Sequence, residues 1–533
     1  MDRTRIVIPL IVVALVVLPL AFRRDVTEVP PDATKLVIVS PHNEQIRYEF
    51  GRAFEHWYLQ EHGEPVSVVW STPGGTSEIR RMLRAQWQAA LVEGRPVGGD
   101  ADLMFGGGTY EFMELSKPVT VTIDGEERTA TVLAPLEFDP AYLASVYGSD
   151  SKVGGTPLYS PEGYWYGAAL SGFGIVYNRD LLAQLDVADP VVWADLADPR
   201  LEGYVSLVSP LQSGSVTTAF EAILQRLGWV DGWRILRRAA ANSRGFASSA
   251  PITPLEVSAG EVAAGVCIDF YGRYQAQAMK AGDIASGVRD PALPDRIGYI
   301  DPPRQTVIDP DPVAMLRGAP HPELAKAFIT YVLSPEGQAL WQFSTSERAI
   351  DGLGPERFEL RRMPIRRSMY AMMDRFIDKV DPYAIAEPVR YPNRAYRTFI
   401  PLLFDAFAMR EPELLTEAWT AIISHPAYPV GASVVTADDV DDPDLKAMLE
   451  QFDAMPTVVG PDGVTYDMSD PEVLATVKAG WLRGGWNEDG LWPEFAEPAM
   501  VLRRHWGEWF ADQYQAVIRR TGERHARLDA LDR

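Results

Sequence analysis

Apolar positions along the first third of the chain alternate between two periods. LVIVS at 36–40, PVSVVW at 65–70 and ADLMF at 101–105 are short, β-branched or continuous apolar runs of the buried-strand type. Between them the apolar residues recur every three or four positions. Ile46, Phe50, Ala53, Phe54 and Trp57 share one helical face, with Gly63 as a stop. Ile79, Met82 and Leu83 share another. Strands alternating with helices of this length predict a parallel, doubly wound sheet. Residues 117–162 are richer in Pro, Gly and Thr and predict a β insertion with loops. At Tyr164 a second block opens. YWYGAAL and GFGIVYN are strand-like, YVSLV at 204–208 and GVCIDF at 265–270 are buried strands, and Val216, Phe220, Ile223, Leu224 and Leu227 form a helical stripe. Leu324, Ala327, Phe328, Tyr331 and Val332 make another helix, and Ser334-Pro335 starts the next. Beyond about residue 350 helical periodicity dominates, as at Leu402, Leu403 and Phe407, with loops around 425–440 and 455–470.

The N-terminus carries a different signal. Arg3 and Arg5 precede an apolar run from Ile6 to Phe22, which Arg23, Arg24 and Asp25 close. The run is at the short end for a membrane span and long for the apolar part of a secretory signal. No small-residue cleavage site follows it and no lipobox cysteine exists. An uncleaved signal anchor over residues 1–24 is the first reading and a cleaved signal peptide the second. Residues 25–35 (DVTEVPPDATK) form a polar linker. The mature chain is then expected on the periplasmic or extracytoplasmic side of the cell envelope, tethered to the inner membrane by residues 6–22.

Composition narrows the function. Of the 533 residues, 47% are hydrophobic, enough for sizeable cores, and the net charge of -23 argues against nucleic acid as a partner. The lone cysteine, Cys267, rules out an intramolecular disulfide and reads as a small buried hydrophobe. GxxxxGK[ST], HExxH, GxSxG and CxxC motifs are all missing. Small polar loops follow the predicted strands instead: SPHNE at 40–44, STPGGT at 71–76, FGGGT at 105–109, LSGFG at 170–174 and SPLQSGS at 209–215. Ligands in open α/β sheets bind at the carboxyl ends of strands, where helix-start N–H groups meet them. The candidate ligand-binding residues are therefore His42, Gly74, Gly75, Thr76, Gly107, Gly108, Thr109, Ser171, Gly172, Ser213, Gly214, Ser215, Asp269 and Tyr271.

Four segments resemble one known family. SGFGIVYNRDLL (171–182), VVWADLADPRLEGYVSLVSP (191–210), VSAGEVAAGVCIDFYGRYQ (257–275) and PHPELAKAFITYVLSPEGQALW (320–341) are similar to the type II extracellular solute-binding proteins of ABC importers. The ferric-iron-binding branch is the nearest. The resemblance covers about 36–345. It implies an α/β, two-lobed fold of the periplasmic-binding-protein type II kind, a ligand between the lobes, no enzymatic activity, and a membrane permease as partner. Lobe 1 is expected over 36–163 and 273–349 and lobe 2 over 164–272, with the chain crossing near 165 and 275. The mainly helical region 350–533 has no counterpart in the minimal fold and is expected to pack on the lobes as a separate unit.

In iron-binding relatives a tyrosine pair follows the hinge strand, with a histidine near the first strand and a glutamate after a later one. The resemblance places His42 and Tyr271 at the metal, with Tyr274 one helical turn further on. Phe270 stands where the second tyrosine would be, and Gly107 and Gly108 replace the glutamate. The transported ligand is thus ferric iron or a ferric complex, or alternatively a small polar or anionic organic solute held by backbone N–H groups. A receptor or scaffold that reuses the fold, and an envelope enzyme using carboxylates such as Asp269, remain as other readings.

Overall fold

The structure, a computed structural model, describes residues 30, 33–286, 294–429, 431–460, 463–482 and 498–531. The apolar run Ile6–Phe22 lies outside them. Among the described residues no helix is long and apolar enough to cross a membrane.

Two sheets carry the molecule. The first holds β1 (Thr34–Val39), β2 (Val66–Ser71), β3 (Leu103–Phe105), β4 (Tyr166–Ser171), β10 (Asp309–Met315) and β11 (Met363–Pro364), in the order β11-β4-β10-β3-β1-β2. β1 runs parallel to β2 and β3, whereas β10 is antiparallel to β3 and β4. The second holds β5 (Phe173–Asn178), β6 (Val205–Val208), β7 (Ser243–Ala247), β8 (Ala264–Ile268) and β9 (Ile297–Ile300), in the order β7-β6-β8-β5-β9. Each sheet with its helices is one lobe, so the fold is α/β and two-lobed, as the motifs imply.

Local chemistry sets the helices. In α1 (Glu44–His62) the Asn43 side chain accepts from the Ile46 N–H at 3.1 Å, and Gly63, at φ 72°, closes the other end. α2 (Thr76–Glu93) and α3 (Thr109–Leu115) begin directly after the STPGGT and FGGGT loops. In the second lobe Ser213 caps α4 (Gly214–Leu227), and α5 (Trp229–Ala241) follows. α6 (Asp269–Ser286) leaves the end of β8.

The lobe boundaries differ from those expected at 163/164 and 272/273. β4 stands in the first sheet, so the chain crosses at Gly172, between Ser171 and Phe173. It returns after β9, between Ile300 and Asp309, and α6 belongs wholly to the second lobe. YWYGAAL and GFGIVYN are both continuous apolar runs, and their hydrophobicity alone does not say which sheet each joins. At the crossing, a Cβ on Gly172 would lie 2.9 Å from Asp301 Oδ1, and Thr306 Oγ1 bonds both the N–H (3.1 Å) and the carbonyl (2.7 Å) of Phe173.

The C-terminal region is helical, but it is woven into both lobes rather than set apart. On the first lobe, β11 pairs with β4. α7 (Pro322–Leu333) leads into α8 (Pro335–Gln342), whose buried Gln338 donates to Ala168 O and accepts from Ile365 N, both near 2.8 Å. The Glu49 carboxylate in α1 accepts the N–H groups of Glu356, Arg357 and Phe358 at 2.7 Å each. On the second lobe, α9 (Tyr396–Phe404) packs on α4, and α10 (Pro412–Ile423) packs on α5. α11 (Pro443–Asp453) supplies Asp453, which binds Arg238 through both oxygens at 2.7 and 3.0 Å. α12 (Pro498–Leu531) covers α10 and α11. One hydrophobic core runs from Leu36 through Leu207 to Trp419 and Trp506. The C-terminal helices thus pack both on one another and on the lobes, in one continuous core.

Candidate functional site

Where the chain crosses between sheets, the end of β4 lies beside the start of β10, with Ser171 paired to Asp309. A cavity of about 90 Å³ opens there. It is lined from the first lobe by His42, Thr76, Gly107, Gly108, Ser171, Asp309 and Asp311, and from the second by Ser215, Thr218, Phe270 and Tyr271. Arg362, the residue just before β11, completes it. A second, more open cavity of about 330 Å³ shares Pro41, Thr76, Ser215 and Tyr271 and adds Gly75, Ser213, Gly214, Ser248 and Ser249.

A buried charged cluster forms one wall. Asp311 Oδ2 accepts from His42 Nε2 at 2.7 Å and from Arg362 Nη1 at 2.5 Å, while Oδ1 accepts from the Gly107 N–H at 2.7 Å. Arg362 also donates to Ser171 Oγ through Nη2 at 2.8 Å and Nε at 3.2 Å, and its guanidinium lies 4.5 Å from the Phe270 ring centroid. Burial alone would push the Asp311 carboxyl up, but the Arg362 charge and the His42 contact outweigh it and hold the group well below the carboxylate range. Burial lowers the His42 pKa, against the pull of Asp311, so the imidazole is neutral at pH 7. A carboxylate only accepts, so Nε2 carries the ring proton. Nδ1 is buried with no hydrogen-bond partner. Gly106 explains the close packing, since a Cβ there would sit 2.4 Å from His42 Nε2.

The opposite wall is made of helix starts. Thr76 is the first residue of α2, Ser215 is in the first turn of α4, and Phe270 and Tyr271 are in the first turn of α6. These helices have 18, 14 and 18 residues. Their N-terminal dipoles bring positive potential from both lobes to one small volume. Burial pushes the Tyr271 phenol up to about 12, with Arg362 opposing.

His42, Thr76, Gly107, Gly108, Ser171, Ser215 and Tyr271, singled out from the sequence, thus meet in one cavity, with Gly75, Ser213 and Gly214 in its neighbour. The others lie behind the wall. Gly74 packs on the Glu78 side chain, and the Thr109 N–H donates to Asp309 Oδ2 at 3.1 Å. Asp269 is fully buried and accepts from the Gly172 N–H at 3.0 Å. Burial raises its carboxyl to about 7, against Arg273, and the side chain braces the crossing. Tyr274 lines a separate opening with Gln45, whose amide donates to its hydroxyl at 3.2 Å. Cys267 is a free, buried thiol, and burial pushes its pKa up. The sequence reasoning missed Asp309, Asp311, Thr218 and Arg362. The alternation in IDPDPVAM places both aspartates on one face of a strand and was the available signal.

Comparison with known proteins shows what part of the chain resembles. Residues 144–349 match the model of the bacterial extracellular solute-binding protein family. This part of the chain is similar to extracellular solute-binding domains. The match covers β4 through α8 and so includes both crossings. The phosphoglycerate transport regulatory protein PgtC of Salmonella typhimurium is 30% identical over 172 residues, 32% of this chain and 39% of that protein's length. An uncharacterized protein of Haemophilus influenzae is 31% identical over 175 residues, 32% of this chain and 44% of that protein's length. The chain therefore spans less than half the length of these curated relatives. Among solved structures, the periplasmic binding protein AfuA of Actinobacillus pleuropneumoniae, bound to fructose-6-phosphate, aligns over 73% of this chain and 98% of its own. Its identity is 17% and its TM-score 0.48. Iron-bound HitA of Pseudomonas aeruginosa aligns over 67% and 93%, with 18% identity and a TM-score of 0.45.

Proposed function

We propose that this chain is the extracytoplasmic receptor for a small organic anion, held between the lobes and presented to an ABC permease. The observation that carries the reading is the meeting of three helix N-termini and the Arg362 guanidinium at one cavity between the sheets. Positive potential in a concave, partly dehydrated site favours an anion with oxygen acceptors. The printed name of the Salmonella relative points to phosphoglycerate as the first compound to try. The apolar run Ile6–Phe22 would tether the receptor to the inner membrane.

The ferric alternative fits these residues poorly. A ferric ion is held best by anionic oxygen ligands, with imidazole a lesser one. His42 Nε2 is committed to Asp311, and Arg362 Nη1 lies 3.2 Å from it, placing a fixed positive charge where a trivalent cation would bind. Tyr271 is a single phenol, since Phe270 stands where a second one would be. Among the described residues no group of three or more His, Cys, Asp or Glu side chains is arranged to hold a metal.

Calorimetric titration of the purified chain with 3-phosphoglycerate, inorganic phosphate and ferric citrate tests the reading. Saturable binding of the organic anion is expected. Iron binding with phenolate charge-transfer colour, lost in Tyr271→Phe, would refute it. A second reading, a regulatory receptor rather than a delivery protein, is favoured by the word "regulatory" in the relative's name. Uptake of labelled ligand separates the two, because deleting a delivery protein abolishes uptake even when the permease is expressed from a constitutive promoter.

A further inference from the structure

β10 presents two carboxylates to the cavity, two residues apart on one face, and they are partnered differently. Asp311 is saturated: His42, Arg362 and the Gly107 N–H use both its oxygens. Asp309 meets one donor residue, Thr109, whose N–H donates to Oδ2 at 3.1 Å and whose hydroxyl stands close by. No Lys, Arg or His among the described residues forms an ion pair with it, and Arg397 acts on it only at longer range. Burial pushes its carboxyl up to about 6, as expected for an under-partnered group, so at pH 7.5 it is still an anion. It lines the cavity, and its neighbour across the ladder on β4, Ser171, is already taken by Arg362.

An unpaired carboxylate in a site otherwise positive at three helix starts is a mismatch for a bare anion. It repels the ligand's charged oxygens and, once water is excluded, loses its own solvation. The mismatch disappears if the ligand carries a donor at that point. We infer that the ligand bears a hydrogen-bond donor, a hydroxyl or an ammonium, beside its anionic group, and that Asp309 accepts from it. This rests on the organic-anion reading above and adds the substrate class: a hydroxylated or aminated acid rather than a simple phosphate or carboxylate. The division of the site suits such a ligand. The 90 Å³ cavity holds the charged group and its donor, and the 330 Å³ cavity beyond Ser215, lined by Ser213, Ser248 and Ser249, takes the remainder.

The test compares 3-phosphoglycerate, which has the hydroxyl, phosphoserine, which has the ammonium, and 3-phosphopropionate, which has neither, at pH 7.5 on the full chain. One or both donor-bearing compounds should bind about tenfold or more tightly than 3-phosphopropionate, the value of one charge-assisted hydrogen bond. The preferred compound tells hydroxyl from ammonium. In Asp309→Ala the preference should fall to within about threefold, mainly by weaker binding of the donor compound. Asp309→Asn, which keeps an acceptor oxygen and the Thr109 contact, should retain part of a hydroxyl preference and serves if the alanine variant does not fold. Equal binding of all three by the natural protein overturns the inference while leaving the anion reading intact, as does a preference that survives Asp309→Ala. Tighter binding of 3-phosphopropionate below pH 6, with no preference at pH 7.5, overturns it too, since Asp309 would then be acting as a protonated donor. Failure of every compound and of inorganic phosphate to bind overturns both.

Discussion

Replacing Arg362 by methionine isolates what the C-terminal region gives the site. Methionine keeps most of the apolar stem and removes the charge, the donors and the guanidinium that lies over Phe270 and Trp341. Asp311 would keep the Gly107 N–H and His42 Nε2 but lose its ion pair while staying buried. Removing one partner of a buried pair costs about 3–5 kcal/mol, because the other charge is stranded. Asp311→Asn in the same chain removes that stranded charge, so the double variant should be more stable than Arg362→Met alone, with a coupling of about 2 kcal/mol or more. Urea unfolding followed by tryptophan fluorescence, over the four corners of the cycle at pH 7.5, measures both. A cost below about 1 kcal/mol for the single variant, or strict additivity, would refute the claim that Arg362 and Asp311 form one buried unit.

Three further outcomes follow from the same geometry. Asp309 has a folded-state pKa raised from 3.8 to about 6, so the folded chain binds its proton more tightly than the unfolded one, and stability from this group declines as pH rises from about 4 to 6. Asp309→Asn removes that slope. Relative to the natural protein it should gain stability between pH 4 and pH 7.5, by about 3 kcal/mol at most and nearer 1 because the residue keeps some solvent access; a pH-independent difference in urea midpoint contradicts this. Glu49→Gln sets an amide donor against at least one of the N–H groups at 356–358, and should cost about 2–3 kcal/mol in the same assay and raise proteolysis of that segment. Asp453→Ala strands Arg238, which is wholly buried between Trp419 and Phe452, and should lower stability by about 3–5 kcal/mol without changing ligand affinity; a loss of affinity with unchanged stability speaks against it.

Hydrophobic periodicity alone determined most of the local structure. The strand at LVIVS, the helical stripe from Ile46 to Trp57 and the buried strand in GVCIDF appear where the pattern places them, because burial on one or both faces dictates the pattern. The loops after the strands were legible as a site for a geometric reason. Parallel strands point their carboxyl ends the same way, so His42, Thr76, Gly107 and Ser215 are gathered by topology however far apart they lie in the chain. That rule is blind to Asp309 and Asp311. They enter at the start of an antiparallel return strand, at the opposite chain polarity. It is blind also to Arg362, whose place depends on Gln338 and Glu49 fixing the segment after α8 against the first lobe. Which of two equally apolar runs, YWYGAAL or GFGIVYN, joins which sheet is likewise a matter of strand pairing and not of composition. Tyr274 shows the same limit on a smaller scale. One helical turn from Tyr271 puts both side chains on the outer opening, but only Tyr271 also reaches the inner cavity. Local sequence sets the elements and their exposed ends, while the partners of a buried charge are chosen only when distant segments close around it.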